Sequence, residues 1–274
     1  MKPVLLLAAL TAALAGEELV LGVTDPLAAA NACACVAGYA QRDYPALGAF
    51  LQQRLGRPVR VVCGSGLDAV QVKAGGAVHA LIGKRAALLG QGAAWGLVGL
   101  AALTDRAGLT TTTGLIVVRG GGARRDLAGL DGARILLGPA AAPEKDAALV
   151  PLLTAAGVAL PDPPARSSTC AAAVQALLAG RADAVAISAH SQPLLEGCGS
   201  VQPGELRVIA ETAPVPFVVA YATASLPEAE RAALRAALLA VAGDAGLLVK
   251  LESRDGFTAL PQEGSGVGKD HSAP

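Results

Sequence analysis

Short β-branched runs alternate along this chain with longer, periodic Ala- and Leu-rich stretches, and that alternation constrains its fold more than any other feature. Strands are expected at Leu19–Val23, Val59–Val62, Ala77–Ile82, Gly114–Val118, Arg134–Leu137, Ala182–Ile187, Leu206–Ala210 and Phe217–Ala222. Helices are expected at Asp43–Leu55, Leu67–Ala74, Lys84–Gln91, Glu144–Ala156, Thr169–Ala179 and Glu228–Ala242. Strands separated by helices of this length read as βαβ units with parallel sheets. Pro227 stands at the start of the last long helix, where its fixed φ and missing N–H cost nothing. Gly120–Arg125 and Leu160–Pro164 read as loops, and there is no internal repeat.

The order of these elements suggests two lobes. Residues 16–108 form a first α/β unit and 109–211 a second. The strand near Phe217 and the helix from Glu228 lack partners in the second unit and would return to the first, so that 212–260 completes lobe I. Two crossings, near Thr110–Thr113 and Ala213–Pro216, are the pattern of a hinged ligand-binding protein.

Composition narrows the class. The chain has 274 residues, 53% hydrophobic and 16% charged, which excludes a disordered polymer. Five Cys in this length are too few for a disulfide-dense scaffold. Lys plus Arg balance Asp plus Glu at 22 each, and aromatics are 3%, so neither charge nor stacking surface points to nucleic acid. Lys2, the apolar run Val4 to Leu14 and the A-x-A site Ala13-Leu14-Ala15 read as a secretory signal peptide over 1–15. The expected location is therefore periplasmic or otherwise secreted and soluble. Residues 261–274, rich in Gly, Ser and charge, read as a disordered tail.

Four segments carry a family likeness: Ala46–Val62 (ALGAFLQQRLGRPVRVV), Thr113–Leu137 (TGLIVVRGGGARRDLAGLDGARILL), Ala171–Ile187 (AAAVQALLAGRADAVAI) and Gln202–Glu211 (QPGELRVIAE). In this order they resemble the phosphonate/phosphite-type periplasmic solute-binding proteins, over roughly residues 19 to 260. The resemblance implies a type II periplasmic-binding-protein fold, two α/β lobes each with a mostly parallel sheet. It also implies a ligand held in the interlobe cleft and presented to a membrane ABC permease or a sensor. The family commonly grips a tetrahedral oxyanion with a hydroxyl-rich turn at a helix N-terminus. The matching stretch here, Gly138 to Glu144, lacks hydroxyls and adds a carboxylate. Thr169-Cys170 replaces a family His, and Gly83-Lys84-Arg85 replaces an uncharged loop.

Cysteines stand at these cleft positions. Cys33 and Cys35 follow strand one, Cys63 ends strand two, and Cys170 opens a helix of the second lobe. Ligands of open α/β sheets sit at the carboxyl ends of strands, so these four thiols would face one crevice. Cys198 belongs to a loop away from it. Converging thiolates suit a soft metal ion or, as in a branch of the resembled family, arsenite. A disulfide such as Cys35 to Cys63 is the structural alternative, and buried unpaired thiols a third.

Other groups divide between site and scaffold. Lys84 and Arg85 open a helix, where the dipole disfavours cations, so a bound anion could compensate them, while exposed surface charge is the plain alternative. Thr112 lies on the presumed hinge strand among Thr110–Thr113, and Asp25-Pro26 follows strand one as a turn. Ser167, Ser168 and Thr169 suit a helix N-cap, with anion binding second. Tyr39, Tyr44, His79 and His190 read as packing residues. No nucleophile elbow, Walker motif or metal-hydrolase His pair occurs, so an enzyme is not expected. The reading is a monomeric, exported solute-binding protein that closes on an oxyanion or a thiophilic species, with ligand groups Cys33, Cys35, Cys63, Cys170, Lys84, Thr112, Asp25 and Thr169. A redox or electron-transfer accessory on the same scaffold, using the cleft cysteines, is the alternative.

Overall fold

A computed structural model describes residues 17–32 and 40–260. The expected signal peptide, Cys33, Cys35, Tyr39 and the expected C-terminal tail lie outside the described residues.

The chain starts with β1 (Leu19–Val23), α1 (Tyr44–Leu55), β2 (Val59–Cys63), α2 (Leu67–Ala74), β3 (Ala80–Lys84), α3 (Arg85–Gln91) and β4 (Val98–Leu103). Asp43 caps α1 by accepting from the Ala46 amide, and Gly56 ends the helix at φ +65°, a conformation a Cβ would penalise. The short strand β5 (Thr111–Thr112) then leads into a second sheet. It holds β6 (Gly114–Arg119), β7 (Ile135–Leu136), β8 (Ala184–Ser188) and β9 (Leu206–Glu211), with helices α4 (Val150–Ala155), α5 (Cys170–Leu178) and α6 (Ser191–Gly197). After β10 (Val215–Pro216) come β11 (Val218–Ala222), α7 (Glu228–Leu239), α8 (Ala245–Lys250) and β12 (Phe257–Thr258).

Strand order is β12-β4-β11-β3-β1-β2 in the large sheet and β7-β8-β6-β9 in the small one, with β5 and β10 paired between them. Each sheet is covered on both faces. Leu19, Leu21 and Val23 pack with Leu47, Leu51, Leu234 and Leu238, while Val20 packs on the opposite face with Val70, Leu81 and Leu88. The same alternation divides β6, Leu115 and Val117 facing α5, Ile116 and Val118 facing Leu149 and Leu153. Strands buried on both faces must be apolar throughout, which is why they stand out as continuous β-branched runs.

The pairing is more mixed than the mostly parallel sheets expected. β1 runs parallel to β2 and β3, and β7 parallel to β8. β11 is antiparallel to β3 and β4, and β6 antiparallel to β8 and β9. A chain that enters a lobe along one strand and leaves along its neighbour must reverse direction between them. β4, β12 and α8 are not expected from the sequence. The expected helix over Glu144–Ala156 is instead a 3-10 turn, Pro143–Lys145, followed by the shorter α4, because Asp146 departs from helical geometry at φ −133° and ψ −92°. No helix among the described residues is long and apolar enough to cross a membrane.

Candidate functional site

The carboxyl ends of β1 and β3 place Thr24 and Lys84 at the edge of the large sheet, and the end of β8 places Ser188 and His190 at the edge of the small one. These edges meet through charge. Lys84 Nζ donates to Glu144 Oε1 at 2.5 Å, and Ser188 Oγ donates to the same oxygen at 2.6 Å. The Glu144 side chain is 1% exposed and that of Lys84 18%. Burial alone would raise the Glu144 pKa, but the Lys84 charge and the two hydrogen bonds outweigh it and hold the carboxyl below its ordinary range. Its second oxygen, Oε2, is buried without a partner, as are Thr24 Oγ1 and His190 Nδ1.

His190 stacks on Phe217, ring centroids 4.9 Å apart, and the Lys84 ammonium stands 6.0 Å from the Phe217 ring. Burial, then the nearby Lys84 charge, pushes the His190 pKa down to about 3, so the imidazole is neutral. On the large-lobe side the cleft opens into a pocket of about 350 Å³ lined by Thr24, Asn31, Ser65, Gly66, Lys84 and Gln91 among others. Gly66 is the N-cap of α2 and offers no side chain to that helix's first amides, which leaves backbone donors at the pocket wall.

In the small lobe Cys170 stands beside the carboxyl end of β8, next to the Ser188 backbone. Cys170 is the first residue of α5 and its Sγ accepts from Lys145 Nζ at 3.2 Å. Burial would raise this thiol, but Lys145, a hydrogen bond from Ser191 and the Ser188 backbone together bring it below its ordinary value. Cys63 behaves oppositely. It is half-buried at the end of β2, packs against the core on the α1 side, and burial pushes its thiol up. Cys63 and Cys170 carry free thiols. Among the described residues no three His, Cys, Asp or Glu side chains are grouped to hold a metal ion.

The remaining sequence candidates have internal partners. Asp25 is fully buried, Oδ2 accepting from Arg42 at 2.9 Å and Tyr44 at 2.5 Å, Oδ1 from the Leu27 amide. Thr169 caps α5, its Oγ1 accepting from the Ala172 amide. Thr112 sits in β5 opposite Val215 of β10, in the link between the lobes. Of the sequence candidates, Lys84 bonds across to the small lobe through Glu144, and Cys170 bonds to Lys145, the residue next to Glu144. Ser188, Lys145 and the role of Glu144 escaped the sequence reading. Ser188 carried one signal, its place directly at the carboxyl end of a buried strand.

Two α/β lobes joined by a two-stranded link, with polar groups from both meeting where their strands end, define a bilobal binding protein of the type II periplasmic class. The sequence model for the ABC transporter phosphonate periplasmic substrate-binding protein family matches residues 39–263, and the chain belongs to that family. No curated relative matches it. The fold is similar to XAC2383 from Xanthomonas citri bound to ATP, with a TM-score of 0.65 and 19% identity over 90% of this chain and 92% of that one. It is also similar to PhnD1 from Prochlorococcus marinus in complex with methylphosphonate, with a TM-score of 0.64 and 13% identity over 89% and 93% of the two chains. A binding-protein component of a Pseudomonas aeruginosa ABC phosphonate transporter matches with a TM-score of 0.63 and 14% identity over 89% and 81%.

Proposed function

We propose that this chain is the exported, monomeric solute-capturing component of an ABC importer, and that its cleft closes on a small oxyanion of the phosphonate or phosphate kind. Signal-peptide cleavage after Ala15 would release it to the periplasm. One observation carries the ligand class: a lysine ammonium from one lobe and a serine hydroxyl from the other converge on a single carboxylate oxygen. A position that satisfies a carboxylate with donors from both lobes suits an oxyanion, and binding there would favour the lobes' approach. Thr24 Oγ1 and the uncapped first turn of α2 add donors on the same side.

Titration calorimetry of the mature chain with methylphosphonate, inorganic phosphate and sulfate tests the reading. Saturable one-to-one binding that Lys84→Met abolishes supports it; no heat with any oxyanion overturns it. A thiophilic ligand such as arsenite or a soft metal ion is a second reading, favoured by the lowered thiol of Cys170 beside the cleft. Arsenite binding lost in Cys170→Ser would select it. Redox use of the cysteines would instead appear as reversible thiol–disulfide cycling without affinity for any of these ligands.

A further inference from the structure

We infer that Glu144 is the cleft's own anion: its carboxylate takes the donors an oxyanion ligand would use and clasps the lobes together until a ligand displaces it. The inference rests on the oxyanion reading for what displaces Glu144, but the clasp itself stands on the geometry alone.

Three observations converge on it. Glu144 Oε1 is held by Lys84 of the large lobe and Ser188 of the small lobe, so one side chain bonds to both edges of the cleft. A carboxylate 1% exposed needs its charge matched, and Lys84 does so, which leaves the pair with no net charge to offer an incoming anion. The carboxylate is nevertheless incompletely bonded, because buried Oε2 has no partner, and an occupant short of hydrogen bonds is one that a better-bonded ligand can replace.

The backbone supports the same role. Thr212 Oγ1 donates to the Glu144 carbonyl at 3.3 Å and itself accepts from the Gly114 amide at 2.7 Å. Gly114 and Thr212 stand where the chain enters and leaves the small lobe, so the turn carrying Glu144 is fastened beside the link between lobes. Releasing the carboxylate from Lys84 would cut the side-chain tie across the cleft while leaving this fastening in place. An oxyanion that arrives while Glu144 still holds Lys84 finds that cation already neutralised. It gains Lys84 and Ser188 only by exchange.

The test uses the full mature chain, its Glu144→Gln and Lys84→Met variants, small-angle X-ray scattering without added ligand, and calorimetry with methylphosphonate and phosphate. Gln keeps the shape and an acceptor for Ser188 while removing the charge, and Lys84→Met breaks the same clasp from the other lobe. The expected result is a compact wild type without ligand, a larger radius of gyration in both variants, and oxyanion affinity in Glu144→Gln raised roughly tenfold or more, within the usual range of coupling between sites. Near-ultraviolet circular dichroism confirms that each variant is folded. If both variants expand but no protein binds an oxyanion, the clasp stands and the oxyanion reading fails. If wild type and Glu144→Gln share one radius and one oxyanion affinity, the clasp is overturned and the oxyanion reading survives.

Discussion

Asp25 and Arg42 form an ion pair at 2.9 Å in which the side chains are 0% and 1% exposed. Tyr44, also buried, donates its hydroxyl to the same carboxylate oxygen, and burial followed by the Asp25 charge holds its phenol well above the ordinary range. Each of these groups is satisfied mainly by the others. Removing one leaves the rest charged or polar in a dry interior, a loss of about 3–5 kcal/mol for a buried charge partner. Asp25→Ala is therefore expected to lower stability by that amount in urea unfolding. Tyr44→Phe, which removes one hydroxyl, is expected to cost about 1–3 kcal/mol. Near-equal losses for the two would contradict the charge argument.

The thiols of Cys170 and Cys63 should react in opposite order to their ordinary similarity. Lys145 lies on Cys170 and favours its thiolate, whereas burial disfavours the thiolate of Cys63. Alkylation by iodoacetamide in the folded state, followed by peptide mass mapping across pH, is expected to reach half its maximal rate at lower pH for Cys170 than for Cys63. In Lys145→Met the Cys170 profile should move to higher pH and Cys63 should not change. A Cys170 profile indifferent to Lys145 would mean the pair does not set its reactivity.

His190 predicts an acid weakness. Unfolded, histidine titrates near 6.5, whereas burial and then Lys84 lower the folded value to about 3. Between these values the unfolded chain binds a proton that the folded chain refuses, so this residue's contribution is complete above pH 6.5 and is lost progressively as pH falls toward 3. Glu144 works in the same direction at the lower end. Its folded pKa lies below the unfolded one, so its contribution is also lost as pH falls through the acid range. Urea unfolding of wild type and His190→Phe at pH 4.5 and 7.5 checks the first effect. Wild type should lose roughly 2.5–3 kcal/mol more than the variant between these two pH values.

The sequence disclosed the scaffold better than the cleft, for physical reasons visible in single segments. β1 and β8 are buried on both faces, and that requirement writes itself into the chain as LVLGV and AVAIS. β4 reads VGLAAL, with little β-branching, and becomes a strand because β11 and β12 pair with its two edges, which no local pattern records. Thr169 was legible because an N-cap needs its hydroxyl within three residues of the amide it serves. Lys84 was legible as a cation opening a helix, the wrong sign for the dipole. Its compensating charge comes from Glu144, 60 residues away in sequence, so the pair could not be read from either segment alone. The same holds for Lys145 and Cys170, 25 residues apart and brought together because both α5 and the turn carrying Lys145 pack against β8.

Gly114 and Gly138 offer a last prediction, because the turn between Gly138 and Glu144 leaves no room for a Cβ at either. A Cβ on Gly114 would lie 1.7 Å from the Glu144 carbonyl oxygen, and one on Gly138 would lie 2.3 Å from Lys145 Cγ. The first obstacle is backbone, fastened by Thr212, and cannot swing aside. The second is the stem of a long side chain that can change rotamer. Gly114→Ala is expected to destabilise by about 1–3 kcal/mol through forced backbone movement and to displace Glu144 from Lys84. Gly138→Ala should cost less in unfolding but should shift Lys145 away from Cys170. Its signature is therefore chemical: the Cys170 alkylation profile moves to higher pH, as in Lys145→Met, alongside a smaller loss of stability than in Gly114→Ala. Equal destabilisation by both alanines, with Cys170 unaffected in Gly138→Ala, would show that the two glycines serve the same backbone constraint instead.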